Sequence, residues 1–186
     1  MGTIKATNIE PIADNGTVTL GSSGDTFTVP TGVTVAGAMA NTPAFEAKRS
    51  SAQTLSHDTE TKVAVDVEVF DTAGAYDAST NYRFTPQTAG KYYVYAQAIA
   101  EIAASQLKRY SLIIKKNGSI EKYMSNYFTN NEAYISSIFI GTVIDFNGSS
   151  DYVELFAKIE YASSGTVKID GGNAGPTFGA YKVVGV

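Results

Sequence analysis

The sequence predicts an all-β protein, a sandwich of eight to ten strands. Three observations carry that expectation. Aromatic residues are frequent, with 12 Tyr and 9 Phe, and 17 Gly punctuate them. Apolar side chains recur at every second position in run after run. The breaks between runs carry turn residues, the clearest being Asn117-Gly118.

The elements follow in order. Residues 1–42 carry few charges and one aromatic side chain, Phe27. Their alternating pieces (TVTLG at 17–21, DTFTVP at 25–30, GVTVAG at 32–37) are too short to bury a face alone. They read as rungs of an intertwined trimeric shaft or anchor, or as a flexible leader. Residues 43–186 read as one β domain. KVAVDVEVF at 62–70 places Val63, Val65, Val67 and Val69 on one face of a half-buried strand. Residues 74–80 read as a loop. YRFTPQTAGKYYVY at 82–95 reads as a hairpin, two alternating runs around Pro86 and Gly90.

KYYVYAQAIAEI at 91–102 alternates from Tyr92 to Ile102, although AQAIAEIAASQLKR also has fair helix propensity. The alternation predicts a strand with a loop over 103–106. Residues 108–116 and 119–127 flank Asn117-Gly118 as a second hairpin. AYISSIFIGTVIDF at 133–146 predicts a long strand that is apolar on both faces, so its second face suits an oligomer interface. DYVELFAKIEY at 151–161 alternates again, and residues 165–169 and 178–184 close the chain.

Composition excludes several functions. No cysteine is present, so no disulfide, thiolate or cysteine–zinc site can form. The single histidine, His57, lies near Asp58 and Glu60 without a second histidine or a nucleophile, and reads as a solvated loop. Net charge is −4 with no basic stripe, which disfavours nucleic acid. The first residues lack the apolar stretch of a secretion signal or membrane span, and Ala6 breaks a myristoylation pattern.

Several short motifs recur in a fixed order: Ala44–Ala47, Asp71 with Tyr76, then Phe84, five residues, Gly90, one residue and Tyr92. They continue with Leu112–Gly118, Asp151–Leu155 and Thr177–Tyr181. In that order they resemble the globular C1q domain of the C1q/TNF superfamily, over about three-quarters of the chain. Departures from that pattern are Val65 in place of Phe, a spacing from Tyr76 to Phe84 that is one residue long, and Val94 and Ala96 in place of aromatics. The resemblance implies a ten-stranded jelly roll that forms a homotrimer and acts as a binding module, not an enzyme. No collagen-like Gly-X-Y stalk accompanies it. Instead, TIKATNIEPI and DTFTVPTGVTVAG are similar to the N-terminal parts of bacteriophage tail-fibre and virion proteins, notably marine and cyanobacterial ones.

The expected function is therefore a non-enzymatic virion protein at the tail or capsid surface. Its trimer would form a fibre tip that adheres to host-surface glycans, and residues 1–42 would attach it to other virion proteins. The alternatives are a capsid decoration or joining protein without a host ligand, and a free C1q-like lectin. A depolymerase would need a long β-helix that 186 residues cannot supply. Tyr123, Asn126, Tyr127, Asn130, Asn131 and Tyr134 are the candidate glycan contacts, since rings stack on sugars and amides bond hydroxyls. A tyrosine-lined strand pair with a polar turn explains the same residues. Asp145, Asn147 and Asp151 around Gly148 faintly resemble a Ca2+ loop, and a β-turn is the simpler reading.

Overall fold

The computed structural model describes residues 18–19, 21–33, 41–102, 106–129, 132–162 and 166–184. The chain divides into two units, Met1–Val35 and Ala36–Val186. The described part of the first unit is exposed and contains no strand. It makes two turns. The Asp25 N–H donates to the Ser22 carbonyl at 3.0 Å and the Val33 N–H to the Pro30 carbonyl at 3.2 Å. Most of GVTVAG lies outside the described residues.

The second unit is an all-β sandwich. Its strands are β1 (Ala44–Lys48), β2 (Gln53–Leu55), β3 (Thr61–Lys62), β4 (Val67–Asp71), β5 (Tyr76–Asp77), β6 (Arg83–Phe84) and β7 (Gly90–Ile102). They continue with β8 (Leu107–Lys116), β9 (Ser119–Tyr127), β10 (Ile135–Phe146), β11 (Val153–Tyr161), β12 (Val167–Ile169) and β13 (Thr177–Lys182). The first sheet runs β2-β12-β7-β13-β1-β4, with β10 on the free side of β7. The second runs β5-β6-β11-β8-β9, with β3 also on β11. Every strand pairing is antiparallel. The count exceeds ten because β2, β3, β5 and β6 are fragments of two or three residues between bends.

The contest between helix and strand at β7 ends in a strand. Tyr92, Val94, Ala96, Ala98, Ala100 and Ile102 all face the core, which a helical period could not achieve. The core itself joins rings from both sheets. Phe45 stacks on Tyr76 at 4.6 Å and on Phe84 at 4.5 Å, and meets Phe178 edge-on at 5.2 Å. Tyr92 adds edge contacts to Phe84 and Phe146.

Three expectations are corrected. The stretch 82–95 is not a hairpin. β6 pairs with β5 and β11 in the second sheet, whereas β7 belongs to the first. Residues 85–89 therefore carry the chain across the sandwich, and Gly90 takes φ +140° as it enters β7. Residues 62–70 are likewise not one strand. β3 pairs with β11 and β4 with β1, so the chain changes sheets over 63–66. Val63 and Val65 are buried in that crossing, while Val69 emerges 52% exposed on the edge. The residues read as a loop at 74–80 also include the two-residue strand β5.

Candidate functional site

The outward face of the first sheet is built from the second half of each alternation. On β7 it presents Lys91, Tyr93, Tyr95, Gln97, Ile99 and Glu101. These lie in register with Asp145, Val143, Gly141, Phe139, Ser137 and Ile135 of β10. On the other flank Tyr93 lies opposite Tyr181, and Tyr95 opposite Gly179. Phe139 is 59% exposed, Val143 54% and Ile135 50%, with Tyr181 also exposed.

Two strand glycines make this surface flat. A Cβ on Gly179 would stand 2.5 Å from Tyr95 Cζ, and one on Gly141 would stand 2.3 Å from Tyr93 Oη. Both rings therefore lie down over glycine backbone instead of standing off the sheet. Lying across Gly179, Tyr95 reaches the next strand and donates a hydrogen bond to Glu46 Oε2 at 2.7 Å. Burial, and then that bond, push its phenol well above the usual tyrosine range. Tyr93 stacks on Tyr95 at 6.1 Å and tilts against Tyr181 at 5.7 Å.

Glu46 of β1 adds a carboxylate at the flank of this face, under the Tyr95 hydroxyl, while along β7 and β10 charge is confined to the two ends. At one, Lys91 pairs with Asp145 at 2.8 Å. At the other, Glu101 accepts from Tyr134 Oη and pairs with Lys168 at 3.3 Å, which also meets Asp170. An apolar, aromatic centre with a charged rim is the anatomy of a protein interface. A hollow of about 200 Å³ beside Ile99, Phe139 and Asn173 would receive a protruding side chain.

The outward face of the second sheet differs. Ion pairs lace it together: Lys62–Glu154 at 2.5 Å, Lys115–Glu60, Lys158–Asp58 at 3.1 Å and Arg109–Asp58 at 2.7 Å. Lys115 also lies over the Phe156 ring at 4.6 Å. Such a face suits water or a polar ligand.

The candidate glycan contacts do not form one patch. Tyr123 and Tyr127 lie on the outward face of β9, where Tyr123 Oη and Ser111 Oγ are 2.9 Å apart. Asn126 points the other way. Its amide donates to Ser136 Oγ at 3.0 Å and to the Ser137 carbonyl at 3.2 Å, tying β9 to β10 across the gap between sheets. Tyr134 sits with Glu101 at the rim of the first sheet. Asn130 and Asn131 lie outside the described residues.

The residues read as a faint Ca2+ loop are engaged in a turn. Asn147 Oδ1 accepts from the N–H groups of Ser149, Ser150 and Asp151. Asp145 faces Lys91, and Asp151 pairs with Lys116 at 2.9 Å. The Lys116 ammonium and the Asn117 amide hold the Asp151 carboxyl below the usual carboxylate range. Among the described residues no group of three or more His, Asp or Glu is placed to hold a metal ion. His57 is exposed, as a solvated loop requires. Its Nδ1 accepts from the Tyr161 N–H at 3.3 Å, and its ring meets the Tyr161 ring edge-on.

The tyrosine face was absent from the sequence candidates, although a signal for it existed. In KYYVY, Tyr92 and Val94 form the inward set, and Tyr93 and Tyr95 the outward one. Gly141 and Gly179 interrupt otherwise good strands, which marks a close approach by another group.

No family model matches the chain, and no curated protein matches it. Solved structures do. The globular domain of zebrafish complement 1qA protein aligns with a TM-score of 0.52 and 15% identity, covering 76% of this chain and 98% of that one. Murine APRIL, determined at pH 5.0, aligns with a TM-score of 0.57 and 11% identity, covering 75% and 98%. The Eiger TNF of S. frugiperda aligns at 0.50 and 13%, covering 78% and 96%. The second unit thus has the C1q/TNF-like jelly-roll fold.

Proposed function

We propose that this chain is a non-enzymatic bacteriophage virion protein whose jelly roll forms a homotrimeric fibre tip and adheres to host-surface glycans. The observation that carries the reading is the exposed face of Tyr93, Tyr95, Phe139, Val143 and Tyr181, apolar at its centre and charged at its ends. A sheet face of that kind needs a partner. A symmetric oligomer of the chain would supply one, and likeness to C1q and TNF jelly rolls supports three copies. Three copies per tip and several tips per particle convert weak contacts into firm attachment. Residues 1–42, with their resemblance to tail-fibre N-termini, join the tip to other virion proteins at the tail or capsid surface.

Competition for particle adsorption tests this reading. Purified wild-type protein should block adsorption. A Phe139→Glu variant, monomeric because a charge sits in the apolar centre, should need at least about tenfold more protein for the same inhibition. Failure of the wild-type protein to compete at any concentration would leave only a decoration or joining role.

A further inference from the structure

The ion-paired face of the second sheet contains one place where an open aromatic ring and a fixed set of polar groups stand together. Glu160 of β11, Arg109 of β8 and Tyr127 of β9 lie side by side in a single row across three strands. The row spans two strand spacings, about 10 Å. Tyr127 is 62% exposed, the most open tyrosine among the described residues. The Arg109 guanidinium carbon stands 5.9 Å from its ring centre. Arg109 is itself held, at 2.7 Å by Asp58 and at 3.4 Å by Glu160. Asp58 also receives Lys158. A cleft of about 360 Å³ opens here, bounded by Lys108, Arg109, Tyr127, Phe128, Thr129 and Glu160.

We infer that this row is a carbohydrate site, taking one or two neutral pyranose rings against Tyr127. The inference rests on the adhesive reading above and gives it an address. A sugar presents a face of C–H groups to a ring and a rim of hydroxyls to its neighbours. Tyr127 supplies the ring. Glu160 supplies carboxylate oxygens that accept from the sugar hydroxyls, while the Arg109 guanidinium and the Thr129 hydroxyl supply donors. Charge balance selects against an anionic ligand, because Asp58 and Glu160 already neutralise Arg109 and Lys158. The polar groups are also preorganised by their own ion pairs, so a sugar orders little on binding. The site faces away from the tyrosine face of the first sheet, so both can be occupied together.

The test uses the full-length protein on an array of immobilised neutral oligosaccharides and bacterial surface polysaccharides. Wild type, Tyr127→Ala, Tyr127→Phe and Lys122→Ala are compared, with thermal unfolding and oligomer mass recorded for each. The site predicts that Tyr127→Ala weakens binding about tenfold or more at unchanged unfolding temperature and mass. Tyr127→Phe, which keeps the ring, and Lys122→Ala, exposed on β9 away from the row, should bind as wild type does. Equal binding by wild type and Tyr127→Ala would overturn the site and leave the adhesive reading standing. No binding by wild type to any spot would overturn the adhesive reading and the site with it.

Discussion

Gly179 shows how much a single missing side chain arranges. It leaves room for the Tyr95 ring, and the ring then spans to Glu46 on β1. Gly179→Ala should push the ring off the sheet, break that bond and destabilise the domain by about 1–3 kcal/mol, measured by denaturant unfolding. Tyr95→Phe, which loses only the bond, should cost about 1 kcal/mol. Tyr110 makes the opposite case. It is fully buried in the core, and its hydroxyl has no hydrogen-bond partner among the described residues. Burial pushes its phenol far above the usual range. Tyr110→Phe removes an unsatisfied group, so stability should stay level or rise by about 1 kcal/mol in the same measurement.

Turns and crossings decide which elements were legible in the sequence. The Asn117-Gly118 hairpin was fully readable, because its chemistry is local. Asn117 sits at φ +51° and Gly118 at φ +81°. Gly118→Ala should therefore destabilise the domain by about 1 kcal/mol, visible as a lower unfolding midpoint. The stretches at 62–70 and 82–95 misled for the converse reason. Alternation reports which side chains are buried, and inside a sandwich it does not say which sheet buries them. Val63, Val65, Phe84 and Tyr92 all proved to be core, yet Val63 and Val65 lie in a crossing between sheets, and Phe84 and Tyr92 lie in strands of opposite sheets.

The bend after β5 adds a pH-dependent element. Asp77 accepts N–H bonds from Thr80, Ser79 and Asn81, which hold its carboxyl well below the usual aspartate range. A depressed folded-state pKa stabilises above the unfolded value, and that contribution is lost as pH falls through the folded one. Wild type should thus exceed Asp77→Asn in thermal stability at neutral pH, and the gap should narrow below about pH 4.

At the scale of the molecule, the two outward faces divide the work. The first sheet turns out tyrosines, Phe139 and Val143 between charged ends; the second turns out ion pairs and the Tyr127 row. The fold class was legible because ordered motifs such as Phe84–Gly90–Tyr92 report core packing, which a jelly roll repeats. The candidate site was legible only in part. Tyr127 stood out in the sequence, but its neighbours Arg109 and Glu160 reach it only through sheet register, which spacing along the chain does not encode. Asn126, a candidate contact in the sequence, ties β9 to β10.

Self-association through the tyrosine face is the central claim, and multi-angle light scattering after size exclusion, at micromolar concentration, tests it most directly. The wild-type protein should elute at three times the mass of one chain, and Phe139→Glu should elute as a folded monomer. A wild-type protein that runs as a stable monomer would contradict the account.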